Sequence, residues 1–357
     1  MRYILRLVYI LKVEEFLHKE NNNLDLIRLI LASMVIYGHA PVFVNAAGHT
    51  DFIARYLHFT YSGNLAVLTF FLISGLLVSN SLFTKLNWKV YIISRIFRLL
   101  PGLIFVSFCT IIICSYFANE NFFTYISYSL DYVYKNACLD IQYEINNVSF
   151  MRDNYPMPQY ANSINGSLWT IPLEFKMYLM LLGMWFLSKC FAKPKIVSCG
   201  LLIGLVYPLF IPESILGGAE TLYMIPAFFM GSILAIEKKN INLNIYLPIS
   251  LIILGKCIDH NAIVGNLLVM FGATLIFVWL ASCRFLQRFS FSHDISYGVY
   301  LWGWPIEQLV GYLFPYLGYY KFLLLSLLVT FCVAYITCVL VEEPSQKFGR
   351  KICKHFM

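Results

Sequence analysis

The sequence predicts an all-α, polytopic membrane protein with about ten transmembrane helices and both termini in the cytoplasm. Its apolar composition, its series of membrane-length apolar stretches and its alternating distribution of Lys and Arg all indicate this fold. Hydrophobic residues make up 59% of the 357 residues, and charged residues make up only 13%. A soluble domain normally carries about 25% charged residues, so this chain lacks the polar surface that a water-soluble fold needs.

Ten apolar stretches are long enough, or nearly so, to cross a hydrocarbon layer of about 30 Å. In chain order they are residues 24–44, 64–83, 101–118, 168–188, 196–211, 219–236, 243–258, 263–283, 295–313 and 319–341. The predicted organisation is a cytoplasmic amphipathic N-terminal segment at 1–23, a ten-helix transmembrane domain at 24–341 and a basic cytoplasmic tail at 342–357.

The positive charges predict the orientation. With the N-terminus inside, 19 of the 26 Lys and Arg residues fall in cytoplasmic segments and five in outer segments, while Arg28 and Lys176 lie within predicted spans. Short cytoplasmic loops of membrane proteins are enriched in Lys and Arg in this way. The net charge of +7 therefore reflects topology and contact with anionic lipids, and a nucleic-acid partner is not expected.

Neither a signal peptide nor a metal or disulfide framework is predicted. The segment 1–23 is interrupted by Arg6, Lys12 and Glu14 and has no small-residue cleavage site, so a helix on the inner membrane surface is expected there. The ten cysteines show no paired spacing, and most fall inside predicted spans.

The longest stretch between predicted spans is residues 119–167, which we call the outer loop because the charge distribution places it on the outer side. Loops of this length are usually functional rather than simple connectors. Two interpretations stand: a folded cap, or a rim that helps to admit a polar acceptor.

Two ionisable residues share one face of the first predicted span. Arg28 and His39 are eleven residues apart, which brings them to within about 20° of the same helix face and about 16 Å apart along its axis. An ionisable side chain at membrane depth costs about 2.5–3.5 kcal/mol or more. This pair therefore indicates an enzyme rather than an inert anchor.

Several blocks of the sequence resemble the acyltransferase-3 family of integral membrane enzymes. The block LDLIRLILASMVIYGHA places Arg28 and His39 at the family's spacing, and Arg95 and Arg98 match its Arg-x-x-Arg motif after span two. Further blocks follow in the family's order: FFLISGLLVSNSL, RIFRLLPGL, NGSLWTIPLEFKMYL, ISYGVYLWGWPIEQ and VEEPSQKFGRK. The resemblance runs from about residue 24 to residue 350. One departure is Gly303, which stands where many members have His.

The resemblance implies transfer of an acyl group, often acetyl, from cytoplasmic acyl-CoA to a hydroxyl of a surface polysaccharide. It makes His39 the catalytic histidine and Arg28, Arg95 and Arg98 the functional arginines. The chemistry of these residue types agrees, because an imidazole with an ordinary pKa of about 6.5 can take a proton from an attacking hydroxyl near neutral pH. Arginines bind the phosphates of CoA well, through paired planar donors.

Both Arg95 and Arg98 lie on one face of an amphipathic inner-surface helix predicted at Lys85–Leu100, where CoA would arrive. The alternative interpretation is plain anchoring by positive charge. Asp25 lies three residues before Arg28 and is expected to be its structural partner.

Glu174 enters the fourth predicted span from the outside, at a depth similar to that of His39. It could orient the imidazole, stabilise its protonated form or bind acceptor hydroxyls, or it could simply pair with a cation such as Lys176. Glu307 in the ninth predicted span is a weaker candidate of the same type, assigned to the substrate site.

Other polar residues near the predicted spans are weaker candidates. Ser167 and Trp169 could line the acceptor entrance, although an aromatic residue at a helix start is more often an interfacial anchor. Ser74 lacks the GxSxG elbow of a nucleophilic serine, so no covalent role is expected for it, and small residues in spans usually permit close helix contact.

The leading prediction is an O-acetyltransferase of the bacterial inner membrane that uses acetyl-CoA as donor and His39 as general base. Its expected acceptor is a surface glycan, free or lipid-linked, such as the O-antigen of lipopolysaccharide. Acyl-CoA, the glycan and membrane lipids are the expected partners, with no permanently bound cofactor. The alternatives are a transporter or glycan flippase, whose spans also carry buried charges, a scaffold of an envelope complex, and an acyltransferase acting on a small molecule or another envelope acceptor.

Overall fold

The computed structural model describes residues 11–118, 120–152, 155–191, 195–210, 222–258, 262–289 and 291–356. Its α-helices are Val13–Phe16, Leu24–Phe43, Phe52–Leu57, Ser62–Lys85, Trp88–Cys114, Phe122–Ala137, Thr170–Cys190, Lys195–Val206, Met224–Ile236, Tyr246–Cys257, Ile263–Ala281, Ser296–Leu313, Tyr319–Thr337 and Glu343–Lys354. The shorter elements include a π-turn, Cys338–Glu342, and an antiparallel pair of strands, Leu11–Lys12 and Asn242–Leu243. The all-α prediction is confirmed.

Six of the described helices are long and apolar enough to cross a membrane: Leu24–Phe43, Ser62–Lys85, Trp88–Cys114, Gly166–Cys190, Ile263–Ala281 and Tyr319–Lys354. The protein is therefore a multi-pass membrane protein. Three shorter apolar helices, Val197–Leu209, Met224–Ile236 and Tyr246–Cys257, lie where the fifth to seventh spans were predicted. The count of about ten spans and the cytoplasmic placement of both termini stay predictions.

Two predicted elements differ from those in the structure. The inner-surface helix and the third span form one continuous helix, Trp88–Cys114, with Pro101 inside it. Proline removes one backbone hydrogen bond, a loss that membrane helices tolerate. Residues 11–23 do not form one continuous surface helix, because Leu11–Lys12 pairs with Asn242–Leu243 and the helix that follows, Val13–Phe16, has only four residues. Residues 1–10 lie outside the described residues.

The chain divides into two compact units. The first comprises Met1–Leu31, Asp51–Leu86 and Lys176–Ser292. The second comprises Ala32–Thr50, Asn87–Phe175 and His293–Met357. The boundaries fall inside two helices, so the helix of Arg28 and His39 contributes its first turns to the first unit and the remainder to the second.

Close helix contact organises the first unit. The helices Ser62–Lys85 and Met224–Ile236 meet at two glycines: a Cβ on Gly75 would lie 1.9 Å from the Phe228 carbonyl oxygen, and one on Gly231 would lie 1.9 Å from the Leu72 carbonyl oxygen. Only glycine permits such an approach, which is the usual function of small residues in membrane helices.

The outer loop belongs to the second unit and has a core of its own. Its helix Phe122–Ala137 buries Tyr125 and Tyr132 against Ile111 and Cys114 at the end of the helix Trp88–Cys114. Phe150 and Ile164, from later in the outer loop, complete this cluster. Because these aromatic and aliphatic side chains are buried together, the outer loop is a folded cap.

Candidate active site

The helix Leu24–Phe43 begins at Asn23, whose side-chain oxygen accepts a hydrogen bond from the Leu26 amide at 3.1 Å. Asparagine is a favoured residue at this position because it satisfies an amide that the helix leaves unpaired. One turn further, Arg28 contacts Asp25, with 2.6 Å between NH2 and Oδ1. Asp25 is thus a partner of Arg28, as the spacing predicted.

The side chain of His39 faces that of Glu307. His39 lies one turn before the end of its helix, and Glu307 lies on the helix Ser296–Leu313, which we call the Glu307 helix. The His39 Nδ1 and Glu307 Oε2 atoms are 4.0 Å apart, and the side chains are 14% and 0% exposed. Neither Nδ1 nor either carboxylate oxygen has a hydrogen-bond partner among the described residues.

This arrangement distinguishes the two imidazole nitrogens. Nδ1 is buried, so the remaining 14% exposure of the His39 side chain belongs to its other atoms. A carboxylate facing Nδ1 favours the tautomer with its proton on that nitrogen, which leaves Nε2 as the basic atom. Catalytic contacts are often long in the absence of substrate and shorten in the reacting complex.

Trp304 packs against the imidazole. Its ring centroid lies 5.0 Å from those of both His39 and Phe43, in edge-to-face geometry, and its Nε1 donates to the Ser163 carbonyl at 2.8 Å. Gly166 makes room for the indole, because a Cβ there would lie 2.8 Å from the indole ring. The tryptophan therefore fixes the position of His39 from the side of the outer loop.

Gly303 lets the Glu307 helix approach the helix of His39. A Cβ added at Gly303 would lie 3.0 Å from Ile36 Cγ1. The position where many family members have His is thus occupied here by a helix contact.

The outer loop is tied to the Glu307 helix through a series of hydrogen bonds. Besides the bond from Trp304, they are Asn165 Nδ2 to Leu301 O at 3.0 Å, Tyr300 OH to Ser167 O at 2.6 Å, Gln308 Nε2 to Ala161 O at 3.2 Å and Tyr155 OH to Gln308 Oε1 at 2.8 Å. These bonds hold residues 155–167 over the helix that carries Glu307.

The other candidates from the outer side lie in different surroundings. Glu174 and Trp169 are half-buried, Ser167 is buried at 2% exposure, and Lys176 is exposed. Among the ion pairs of the described residues, the carboxylate within ion-pair distance of His39 is that of Glu307. The sequence alone ranked Glu174 first, because depth in a span does not reveal which side chains face each other.

Arg98 makes two carboxylate contacts. Its NH2 lies 3.1 Å from Asp294 Oδ2 and its NH1 lies 3.8 Å from Glu342 Oε2, while its guanidinium sits 5.6 Å from the centroid of the Tyr297 ring. Glu342 is 1% exposed and ends the π-turn Cys338–Glu342; such turns are frequent at functional sites. Arg95 is half-buried on the same helix.

One group of described side chains has the composition of a metal site. The ligand atoms of His293, Cys338 and Glu343 lie within 4.8 Å of one another. His293 Nδ1 is hydrogen-bonded to Glu343 Oε1 at 2.6 Å, and Lys347 Nζ lies 3.4 Å from Glu343 Oε2. These contacts join His293, Glu343 and Lys347 in one network of polar side chains.

Comparison with known proteins shows the family of the chain. A family model described as an acyltransferase domain, that of the acyltransferase-3 family, matches residues 21–342. A relative named O-acetyl transferase, from Shigella phage Sf6, is 28% identical over 354 residues, which cover 92% of this chain and 96% of the relative. No solved structure matches the chain. The chain belongs to the acyltransferase-3 family and is a membrane acyltransferase that transfers groups other than aminoacyl groups.

Proposed function

We propose that the protein is an O-acetyltransferase of the bacterial inner membrane. It moves acetyl from cytoplasmic acetyl-CoA to a hydroxyl of a surface glycan such as the O-antigen of lipopolysaccharide. Family membership and the name of the phage relative support the reaction class. The observation that carries the proposal is the buried contact between His39 and Glu307 beside the folded outer loop.

The His39 imidazole acts as the general base in this mechanism. The acceptor hydroxyl oxygen attacks the thioester carbonyl carbon while Nε2 of His39 takes the hydroxyl proton. Glu307, 4.0 Å from Nδ1, stabilises the imidazolium that forms. The C–S bond then breaks, the acetyl group stays on the acceptor oxygen, and the imidazolium returns its proton to the departing sulfur of CoA. General-base catalysis of this kind contributes about 10²–10⁴-fold.

The donor is assigned to the arginines. Arg28, Arg95 and Arg98 bind the phosphates of acetyl-CoA, to which guanidinium groups donate paired hydrogen bonds. Arg98 already contacts Asp294 and Glu342, so a phosphate must compete with these carboxylates for its donors. Donor binding then changes the ion pairs of Arg98.

The acceptor is assigned to the end of the site opposite the donor-binding arginines, beside the outer loop. With Glu307 orienting His39, Glu174 takes the alternative role of binding acceptor hydroxyls together with Trp169. Ser167 is buried, and its carbonyl oxygen accepts a hydrogen bond from the Tyr300 hydroxyl. Its contribution to the acceptor site is therefore to hold the outer loop in place.

The test compares the surface polysaccharide of cells that lack the protein with that of cells carrying the wild type, His39→Ala or His18→Ala. His18 is exposed and serves as the matched histidine control. Proton NMR of the purified polysaccharide should show O-acetyl signals with the wild type and His18→Ala only. A fully acetylated glycan in cells whose His39→Ala protein is correctly inserted would contradict the mechanism. No change in any glycan would favour a transporter or a small-molecule acceptor.

A further inference from the structure

Arg152, in the outer loop, has one guanidinium nitrogen with no hydrogen-bond partner among the described residues. Its NH2 donates to the Phe43 carbonyl, and its Cζ lies 4.9 Å from the centroid of the Tyr155 ring. Its NH1 is buried and has no hydrogen-bond partner among the described residues. Arg152 also makes no ion pair with a carboxylate in the described part of the chain.

Its location is next to the candidate active site. Phe43, which accepts the hydrogen bond from Arg152, follows His39 by four residues, or about 6 Å along a helix. Trp304 contacts both of these rings at 5.0 Å. The guanidinium of Arg152 therefore lies about one helical turn beyond His39, on the side of the outer loop.

A second connection joins Arg152 to the Glu307 helix. The ring of Tyr155 lies against the guanidinium, and its hydroxyl donates a hydrogen bond to the side chain of Gln308, the residue after Glu307. Gly311 lies one turn further along, where an added Cβ would crowd the Phe43 carbonyl oxygen at 3.2 Å and touch NH2 of Arg152 at 3.4 Å. Arg152 is thus held by the ends of the same two helices that carry His39 and Glu307.

A purely structural role accounts for only part of this arrangement. An arginine that caps the end of a helix needs one donor for the carbonyl, and NH2 provides it. The buried NH1 is removed from water and has no hydrogen-bond partner in the described part of the chain, which is more costly for a charged group than for a neutral one. Burial also lowers the pKa of Arg152 from its ordinary value. A bound anion would satisfy the nitrogen and balance the charge.

We propose that Arg152 is an anion subsite of the acceptor site and that its NH1 binds a carboxylate or phosphate group of the acceptor. The acceptor is then an acidic glycan or a phosphate-linked one, with its reacting hydroxyl near His39 and its anionic group one helical turn further out. This inference rests on the proposed function for the identity of the acceptor, whereas the binding of anions at Arg152 can be measured without any reaction.

Anion binding is measured with the purified full-length protein in nanodiscs of neutral phosphatidylcholine. The unfolding temperature is followed by intrinsic fluorescence during titration with glucuronate, glucose 1-phosphate or glucose at constant ionic strength. We expect a saturable rise in the unfolding temperature with at least one anion and none with glucose. If only glucuronate raises the unfolding temperature, the acceptor carries a carboxylate. If only glucose 1-phosphate raises it, the acceptor carries a phosphate. No response to either anion in the wild type overturns the proposal.

The variants locate the site. Arg152→Gln should abolish the anion response, and Arg152→Lys, which keeps a cation able to reach the Phe43 carbonyl, should weaken it. Arg55→Gln is the matched control, because Arg55 is an exposed arginine of the predicted outer segments, and it should keep the full response. An unchanged response in Arg152→Lys, or in a folded Arg152→Gln, places the anion elsewhere and overturns the proposal.

Kinetics separate this inference from the proposed function. With radiolabelled acetyl-CoA and isolated polysaccharide, Arg152→Gln should raise the KM for the polysaccharide and leave the KM for acetyl-CoA unchanged. If the wild type acetylates no glycan but still binds anions through Arg152, the proposed function fails and the subsite stands. If the wild type acetylates a glycan and Arg152→Gln does so with an unchanged KM, the subsite fails and the proposed function stands.

Discussion

Replacing Glu307 by glutamine should slow catalysis strongly without harming the fold. Glutamine keeps the shape of the side chain but cannot supply a negative charge 4.0 Å from His39 Nδ1 when the imidazolium forms. At an effective dielectric constant of about 20, two unit charges at this distance attract each other by about 4 kcal/mol, which corresponds to about 10³-fold in rate. Because His39 is 14% exposed, water screens part of this attraction, and we expect kcat to fall by about 10²–10³-fold.

The unfolding temperature of Glu307→Gln should rise or stay unchanged, although its activity falls. Glu307 is fully buried, and neither oxygen has a hydrogen-bond partner among the described residues. Replacing an uncompensated buried charge by a neutral group is often neutral or stabilising. Loss of activity together with an unchanged or raised unfolding temperature therefore separates a catalytic effect from misfolding.

The assay is transfer of radiolabelled acetyl from acetyl-CoA to isolated polysaccharide by purified protein in nanodiscs. Glu144→Gln, which neutralises an exposed carboxylate of the outer loop, is the matched control and should retain wild-type kcat. If Glu307→Gln keeps more than one tenth of the wild-type kcat, the carboxylate does not stabilise an imidazolium and the reasoning from distance is wrong. A rise in the KM for acetyl-CoA with kcat unchanged would also refute it.

Three further predictions concern packing, chemistry and the donor. Gly75→Ala should lower the unfolding temperature, since overpacking costs about 1–3 kcal/mol or more and the added Cβ would meet a backbone carbonyl at 1.9 Å. Gly183→Ala is the control and should leave the unfolding temperature unchanged, because Gly183 has open space around it. Equal stability of the two variants would refute the close contact at Gly75. Ser74→Ala should retain activity, whereas a loss approaching the roughly 10⁶-fold of a missing nucleophile would restore a covalent role. Arg98→Ala should destabilise the protein by about 3–5 kcal/mol, because it leaves Glu342 buried without its cation. The double variant Arg98→Ala with Glu342→Gln should recover the wild-type unfolding temperature, while its KM for acetyl-CoA stays raised. If the unfolding temperature and the KM both return to wild-type values, the role of Arg98 is purely structural.

The sequence predicted the element that carries His39 well. The apolar run 24–44 corresponds to the helix Leu24–Phe43, since a long hydrophobic stretch with an asparagine cap leaves few alternatives. The continuous helix Trp88–Cys114 was not predicted. Proline is a strong helix breaker in water, and the tolerance of Pro101 depends on packing in the membrane that the local sequence does not reveal.

The partner of His39 could not be predicted from periodicity. Helical spacing tells which residues share a face of one helix, but Glu307 lies on a helix far away in the chain, and its approach depends on Gly303. Arg152 was overlooked because the irregular loop around it has no period. One signal was present, since Arg152 is among only five Lys and Arg residues predicted on the outer side.

The bonds between the outer loop and the Glu307 helix determine which part of the protein can be exchanged in engineering. Trp304 and Gln308 of that helix, with Tyr300, bond to carbonyl groups of residues 161–167. A chimera that takes only residues 119–167 from a relative with another acceptor would break these hydrogen bonds and shift Trp304, which holds His39 in position. The transferable cassette for acceptor specificity is therefore the outer loop together with Ser296–Leu313.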